Sequence, residues 1–157
     1  MKNKPYLKCW LITESTDYYS ENNSYYIYAD SAAKAKSKLI REQEGSICWN
    51  DIMNLRCLRS KENDLYQQVV HHLYYIVDNK LINHLTHSLG VEINDVMPNE
   101  FYRNYSMYHQ NNKECDELVK LELMEVRDKL GSKVYYVTDL GIELVKSLLL
   151  IKKNTIN

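Results

Sequence analysis

Between Lys129 and Leu149 the chain reads KLGSKVYYVTDLGIELVKSLL. Gly131 offers the positive φ that a tight turn requires, and the alternation of Val134, Tyr136 and Thr138 directs one face of a strand onto packed helices. Ahead of the turn, MEVRDK (124–129) supplies an opposing strand, so the two runs pair as a hairpin across Leu130, Gly131 and Ser132. Thr138 or Asp139 then presents a side-chain oxygen to the free N–H groups of a new helix, IELVKSLLLI. A hairpin running straight into a capped helix decides the reading of the C-terminal half.

Working upstream, Asn111 or Asn112 caps a helix over KECDELVKLEL, and KLINHLTHSL forms another that stops at Gly90. The stretch ENDLYQQVVHHLYYIV (62–77) places Leu65, Val69, Leu73 and Ile76 at helical spacing and predicts an amphipathic helix. Residues 91–112 are the least regular part, with Pro98 and several turn formers.

The first 60 residues have a different pattern. Leu7–Thr13 and Ser24–Ala29 are rich in β-formers and flank the polar turn ESTDYYSENNS. Asp30 or Ser31 caps a helix over AAKAKSKLIREQE, with Gly45 as its stop, and IMNLRCLR alternates as a third strand. The fold class is therefore α+β. An N-terminal ββαβ unit, an antiparallel sheet with one helix, occupies residues 1–60. A helical unit with a β-hairpin wing occupies residues 61–157.

The segment LVKLELMEVRDKLGSKVYYVTDLGIELV resembles the third helix and wing of MarR-like and PadR-like winged-helix regulators. Tyr136, Val137, Thr138 and Gly141 fit the pattern with which those wings close. Glu122 stands where the families carry a glycine, followed by Leu123 and Met124. Together with Arg103, Asn104 and Tyr105, the same region also resembles small phage and prophage proteins of uncharacterised role. The first resemblance implies a winged-helix fold, and neither implies a particular activity.

Composition excludes several classes. Hydrophobic residues at 45% and charged residues at 26% suit a folded globular chain, and no apolar run nears the roughly 20 residues of a membrane span. The opening MKNKPYLKCWLITES lacks the apolar core of a signal peptide, so a cytoplasmic location is expected, in the host bacterium if the chain is phage-encoded. Four cysteines (Cys9, Cys48, Cys57, Cys115) stand apart without a CxxC pair, which favours reduced thiols. A net charge of −1 withholds the basic surplus that phosphate neutralisation asks of a dedicated nucleic-acid binder.

Candidate functional residues fall into three groups. The loop and strand around DYYSENNSYY set Asp17, Tyr18, Tyr19, Glu21, Tyr25 and Tyr26 on or beside a hairpin tip, as a protein-binding surface for a basic partner. FYRNYSMYH (101–109) is a second tyrosine-rich segment of the same kind, in a chain with 14 Tyr and one Phe. Arg127, Lys129 and Lys133 make the wing mildly basic and are the phosphate contacts of a nucleic-acid-binding reading. Against it, the helix before the wing carries Glu114, Asp116, Glu117 and Glu122, which phosphates repel. His84 and His87 lie one helical turn apart, so a structural zinc completed by His72 or Cys48 stays open, though no spacing demands it and no cofactor is expected.

No HExxH, GxSxG, P-loop or GxGxxG motif occurs, and a Cys115–His109 nucleophile pair has no spacing to recommend it. The expectation is a non-enzymatic, mobile-element accessory protein that binds a protein partner. A CRISPR effector nuclease, inhibited by steric block, is one such partner. The alternative is a winged-helix DNA-binding regulator.

Overall fold

The computed structural model describes residues 5–14, 24–43, 47 and 52–152 of the chain. It is an α+β protein with antiparallel sheets and four α-helices among the described residues. The chain divides into two units, Met1–Tyr66 with Ile151–Asn157, and Gln67–Leu150.

In the first unit, β1 (Cys9–Glu14) lies between β2 (Ser24–Tyr28) and β3 (Leu55–Arg59), antiparallel to both. The helix α1 (Ala32–Glu42) begins where the Ser31 hydroxyl accepts from the Lys34 amide at 3.3 Å. Ala35, Leu39 and Ile40 of α1 bury against Ile12, Ile27 and Leu55 of the sheet, as the one-stripe reading of that helix requires. The Gly45 assigned as the helix stop lies outside the described residues; the C-cap is Gln43.

A buried ion pair closes this unit. Asp64 accepts from the Cys9 amide at 2.9 Å and pairs with Arg59 at 2.5 Å, while Arg59 also donates to the Cys9 carbonyl at 2.7 Å. Burial disfavours the Asp64 charge, but the Arg59 hydrogen bond, the Cys9 amide and the Arg59 charge prevail and hold the carboxyl below its ordinary value.

The expected helix over 62–77 is not formed. A 3-10 turn at Lys61–Asn63 is followed by a strand, β4 (Leu65–Gln67), then extended chain and a second 3-10 turn at His72–Tyr75. Its intended apolar stripe is split, since Leu65 is 1% exposed and Val69 is 95% exposed. The backbone of this segment is engaged elsewhere. Leu65 exchanges hydrogen bonds with Leu7, the Gln68 side chain donates to the carbonyls of Lys146 and Leu149, and the His71 amide donates to the Ser147 hydroxyl. Two adjacent valines and the ring-rich HHLYY run have little intrinsic helix preference to set against those bonds.

In the second unit, α2 (Asn79–Leu89) starts at the Asp78 carboxylate and ends at Gly90, whose φ of 72° is left-handed. The helix α3 (Lys113–Lys120) is capped by Asn112, whose side chain accepts from Cys115 at 3.0 Å. It stops three residues earlier than expected. Glu122 turns to a φ of 61°, and the Leu123 amide bonds back to Leu118 at 2.9 Å.

The expected hairpin forms from β6 (Met124–Lys129) and β7 (Ser132–Val137), but its turn is one residue shorter than expected: Ser132 is already in the strand, opposite Lys129, and Leu130-Gly131 make a two-residue turn. A strand that the sequence does not signal, β5 (Tyr105–Tyr108), pairs with the other side of β7, giving the order β5–β7–β6. Thr138 caps α4 (Asp139–Lys146) by accepting from the Gly141 amide at 3.2 Å.

Two further expectations are corrected. Tyr135 and Val137, rather than Val134 and Tyr136, face the core made by Leu81, Leu85, Leu118 and Leu144. The Tyr135 hydroxyl decides that choice by donating to Asp116 at 2.6 Å and accepting from the Asn112 amide at 3.4 Å. The last helix does not run to Ile151. Leu150 donates to the Asp95 carbonyl and accepts from the Met97 amide, both at 2.8 Å, and Leu150–Lys152 form β8, which pairs with β4. Among the described residues no helix is long and apolar enough to cross a membrane.

Candidate functional site

An antiparallel sheet that packs helices on one side leaves its other side to solvent or to a partner. In the second unit the packed side carries Ser106, Tyr108, Tyr135 and Val137. The opposite side carries Tyr105 and Met107 of β5, Val134 and Tyr136 of β7, and Glu125 and Arg127 of β6, as the register dictates. Tyr105 stands across from Tyr136 with ring centroids 6.1 Å apart, and Met107 stands across from Val134. Tyr105 is 47% exposed and Met107 59% exposed, while Val134 is buried beneath its neighbours.

Arg127 closes the face on the far side. Its guanidinium lies 5.0 Å from the Tyr136 ring centroid and pairs with Glu125 at 2.5 Å. The stacked cation fixes the ring and gives an apolar row a charged border. Tyr, Met and Arg are the residue types enriched where proteins meet one another. At the end of α2, the Tyr102 ring covers Gly90 so closely that a β-carbon there would collide with it. Arg103 stacks over Tyr102 at 5.3 Å and donates to the His87 carbonyl, so both side chains are tied to a helix end.

The first unit presents a smaller face of the same kind. Tyr26, Leu11 and Leu58 stand in one row across its three strands, on the side away from α1. Tyr26 is 55% exposed, whereas its neighbour Tyr25 packs with the helix-side core. Asp17, Tyr18, Tyr19 and Glu21 of the same candidate group lie outside the described residues.

The wing bases are brought onto one hairpin but are not left free as a set. Arg127 is held by Glu125 and Tyr136, and Lys133 stands across from Asp128 in the register. Lys129 is exposed at the turn. On α3, Glu114 pairs with Lys80 at 2.5 Å and Asp116 is taken by Tyr135, which leaves Glu117 beside the two exposed lysines Lys113 and Lys120.

Among the described residues no three His, Cys, Asp or Glu side chains come together as a metal group, His72, His84 and His87 included. His72 instead stacks on His71 at 4.4 Å, and Cys48 lies outside the described residues. Cys115 and His109 are not joined. Cys115 is buried in the core, while the His109 ring meets the Ser132 hydroxyl at 3.1 Å. Burial, chiefly, pushes the Cys115 thiol up to about 11 and raises those of Cys9 and Cys57, which opposes thiolate formation.

A hollow of about 650 Å³ beside α1 gathers Lys34, Lys38 and Arg41, yet Asp30 and Glu42 line it too. Lys34 pairs with Asp30 at 2.7 Å and Lys38 with Glu42 at 3.7 Å, so its charge is largely balanced.

The β5–β7–β6 face is the group that sequence reasoning missed in part. FYRNYSMYH signalled tyrosine content, but only the pairing of β5 with β7 brings Tyr105 beside Tyr136 and Met107 beside Val134. No protein-family model, curated protein or solved structure matches this chain.

Proposed function

We propose that this protein acts without catalysis, by binding another protein through the open face of the β5–β7–β6 sheet. The observation that carries the reading is the pair Tyr105 and Met107, exposed on the sheet beside the half-buried Tyr136 and bordered by the stacked Arg127. Aromatic side chains with few rotors lose little entropy on contact, and a sheet holds them in place before the partner arrives. The resemblance of Arg103, Asn104, Tyr105 and the wing to small phage proteins supports a mobile-element origin and names no partner; small size and that origin make a host-defence nuclease the partner we propose. The protein would then act as an inhibitor of the anti-CRISPR type that blocks access by bulk.

The second reading, a winged-helix DNA-binding regulator, draws support from one feature. The β6–β7 hairpin follows α3 and enters α4 through the Thr138 cap, the succession the MarR-like and PadR-like resemblance implies. The pairing of Arg127 with Glu125 and the acids of α3 weigh against it.

The two readings part in solution. Anisotropy of a labelled random DNA duplex at low salt is expected to stay flat, and purified CRISPR effector nucleases are expected to capture the protein. Met107→Glu should weaken that capture roughly tenfold or more, as for a central contact residue, while leaving the fold intact. Salt-sensitive duplex binding that disappears when Arg127, Lys129 and Lys133 are replaced together would support the regulator and remove the inhibitor.

A further inference from the structure

The second edge of this sheet carries an inference separate from its face. Among the described residues β6 pairs with β7 alone, so its other edge is open. Backbone direction along β6 follows from the turn. Leu130 and Gly131 both have positive φ, 49° and 78°, the signature of a two-residue hairpin whose closing pair, Lys129 and Ser132, is hydrogen-bonded. The same parity recurs at the other end, where the Leu123 carbonyl accepts from the Thr138 amide at 3.1 Å. Odd-numbered residues of β6 therefore bond to β7. Met124, Val126 and Asp128 turn their N–H and C=O groups to the open edge.

An open edge is a template for another strand, and charges commonly guard it. Here the charges select a partner. Two antiparallel copies of β6 keep their hydrogen-bonding parity only when the two-fold axis passes beside a single residue. An axis at Glu125 sets two glutamates face to face, one at Arg127 sets two arginines face to face, and one at Asp128 sets two aspartates face to face. The axis at Val126 alone sets Glu125 opposite Arg127 of the second copy, twice over, and Val126 opposite itself. Val126 is 39% exposed at the middle of the edge and would be covered by that contact.

We propose that β6 pairs with β6 of a second copy of this chain, antiparallel and centred on Val126, to form an isologous dimer. The two sheets then run as one, in the order β5–β7–β6–β6–β7–β5. Backbone bonds from Val126 hold its centre, and two Glu125–Arg127 pairs flank it on the open face.

Sedimentation equilibrium across the micromolar range should give a species of twice the chain mass. Glu125→Arg alone and Arg127→Glu alone each place like charges opposite one another, and each should weaken the dimer roughly tenfold or more. Mixed together, the two single variants should associate again as a heterodimer, because every facing pair is then of opposite sign. In the unaltered protein, hydrogen exchange at the Val126 and Asp128 amides should slow as concentration rises. A monomer at all concentrations, a dimer indifferent to both charge changes, variants that do not recombine, or rapid exchange at Val126 throughout would each overturn the proposal.

Discussion

Gly141 stands directly against the backbone carbonyl of Leu123, leaving no space for a β-carbon between them, and the Val137 side chain lies 2.7 Å from where that carbon would sit. The approach lets the first turn of α4 rest on the end of α3, with Thr138 bonded to both Glu122 and Leu123 carbonyls. The glycine of the VTDLG run is thus a packing requirement, since its φ is not left-handed. Gly141→Ala is expected to cost about 1 to 3 kcal/mol of stability through overpacking, measured by urea unfolding. An unchanged midpoint would show that the helix can lift without loss.

Glu122 holds a φ of 61°, a conformation that L-residues adopt at a cost. Glu122→Gly should raise stability by about 1 kcal/mol by relieving that strain, even though the unfolded chain gains freedom. A fall in thermal midpoint would mean that the side chain makes a contribution larger than the strain.

Asp64 is buried and tied to Arg59 and Cys9, so Asp64→Ala should destabilise the first unit by roughly 3 to 5 kcal/mol, the cost of stranding a buried partner. Its pH signature follows from the lowered carboxyl. A depressed folded-state value means the contribution is complete above the ordinary value of 3.8 and fades as pH falls through the lower folded value. Urea titrations at successive acid pH values should show this loss in the unaltered protein and its absence in Asp64→Asn.

Cys115 has its thiol pushed up to about 11, chiefly by burial in the core. Alkylation at mildly alkaline pH should therefore leave Cys115 unmodified in the folded protein and label it fully in denaturant, as read by peptide mass mapping. Rapid labelling in the folded state would indicate an opening of α3.

The features that were legible in the sequence share a physical trait: their causes are local. Asn112 and Thr138 cap helices with their own side chains, Gly90 ends α2 because it tolerates a left-handed turn, and Leu130-Gly131 closes a hairpin. The features that escaped are decided by partners distant in the chain. Leu65 and Leu150 sit in runs that read as helix, but their amides and carbonyls are claimed by Leu7, Asp95 and Met97. Gln68 is bonded to carbonyls near residue 149, a relationship no periodicity encodes. The candidate face shows the same division. Its tyrosines are visible in YRNYSMY, whereas their assembly depends on β5 finding β7.

The discontinuity of the first unit has a temporal side. Tyr66 and Ile151 belong to one unit, yet the whole second unit is threaded between them. During synthesis the segment Gln67–Leu150 can assemble from contacts within itself, whereas β4 must wait for β8 before its edge is covered. Chain emergence at about 5 to 20 residues per second leaves that edge waiting for several seconds. Nascent-chain folding of this protein is thus expected to finish where it began, with the first unit sealed after the second.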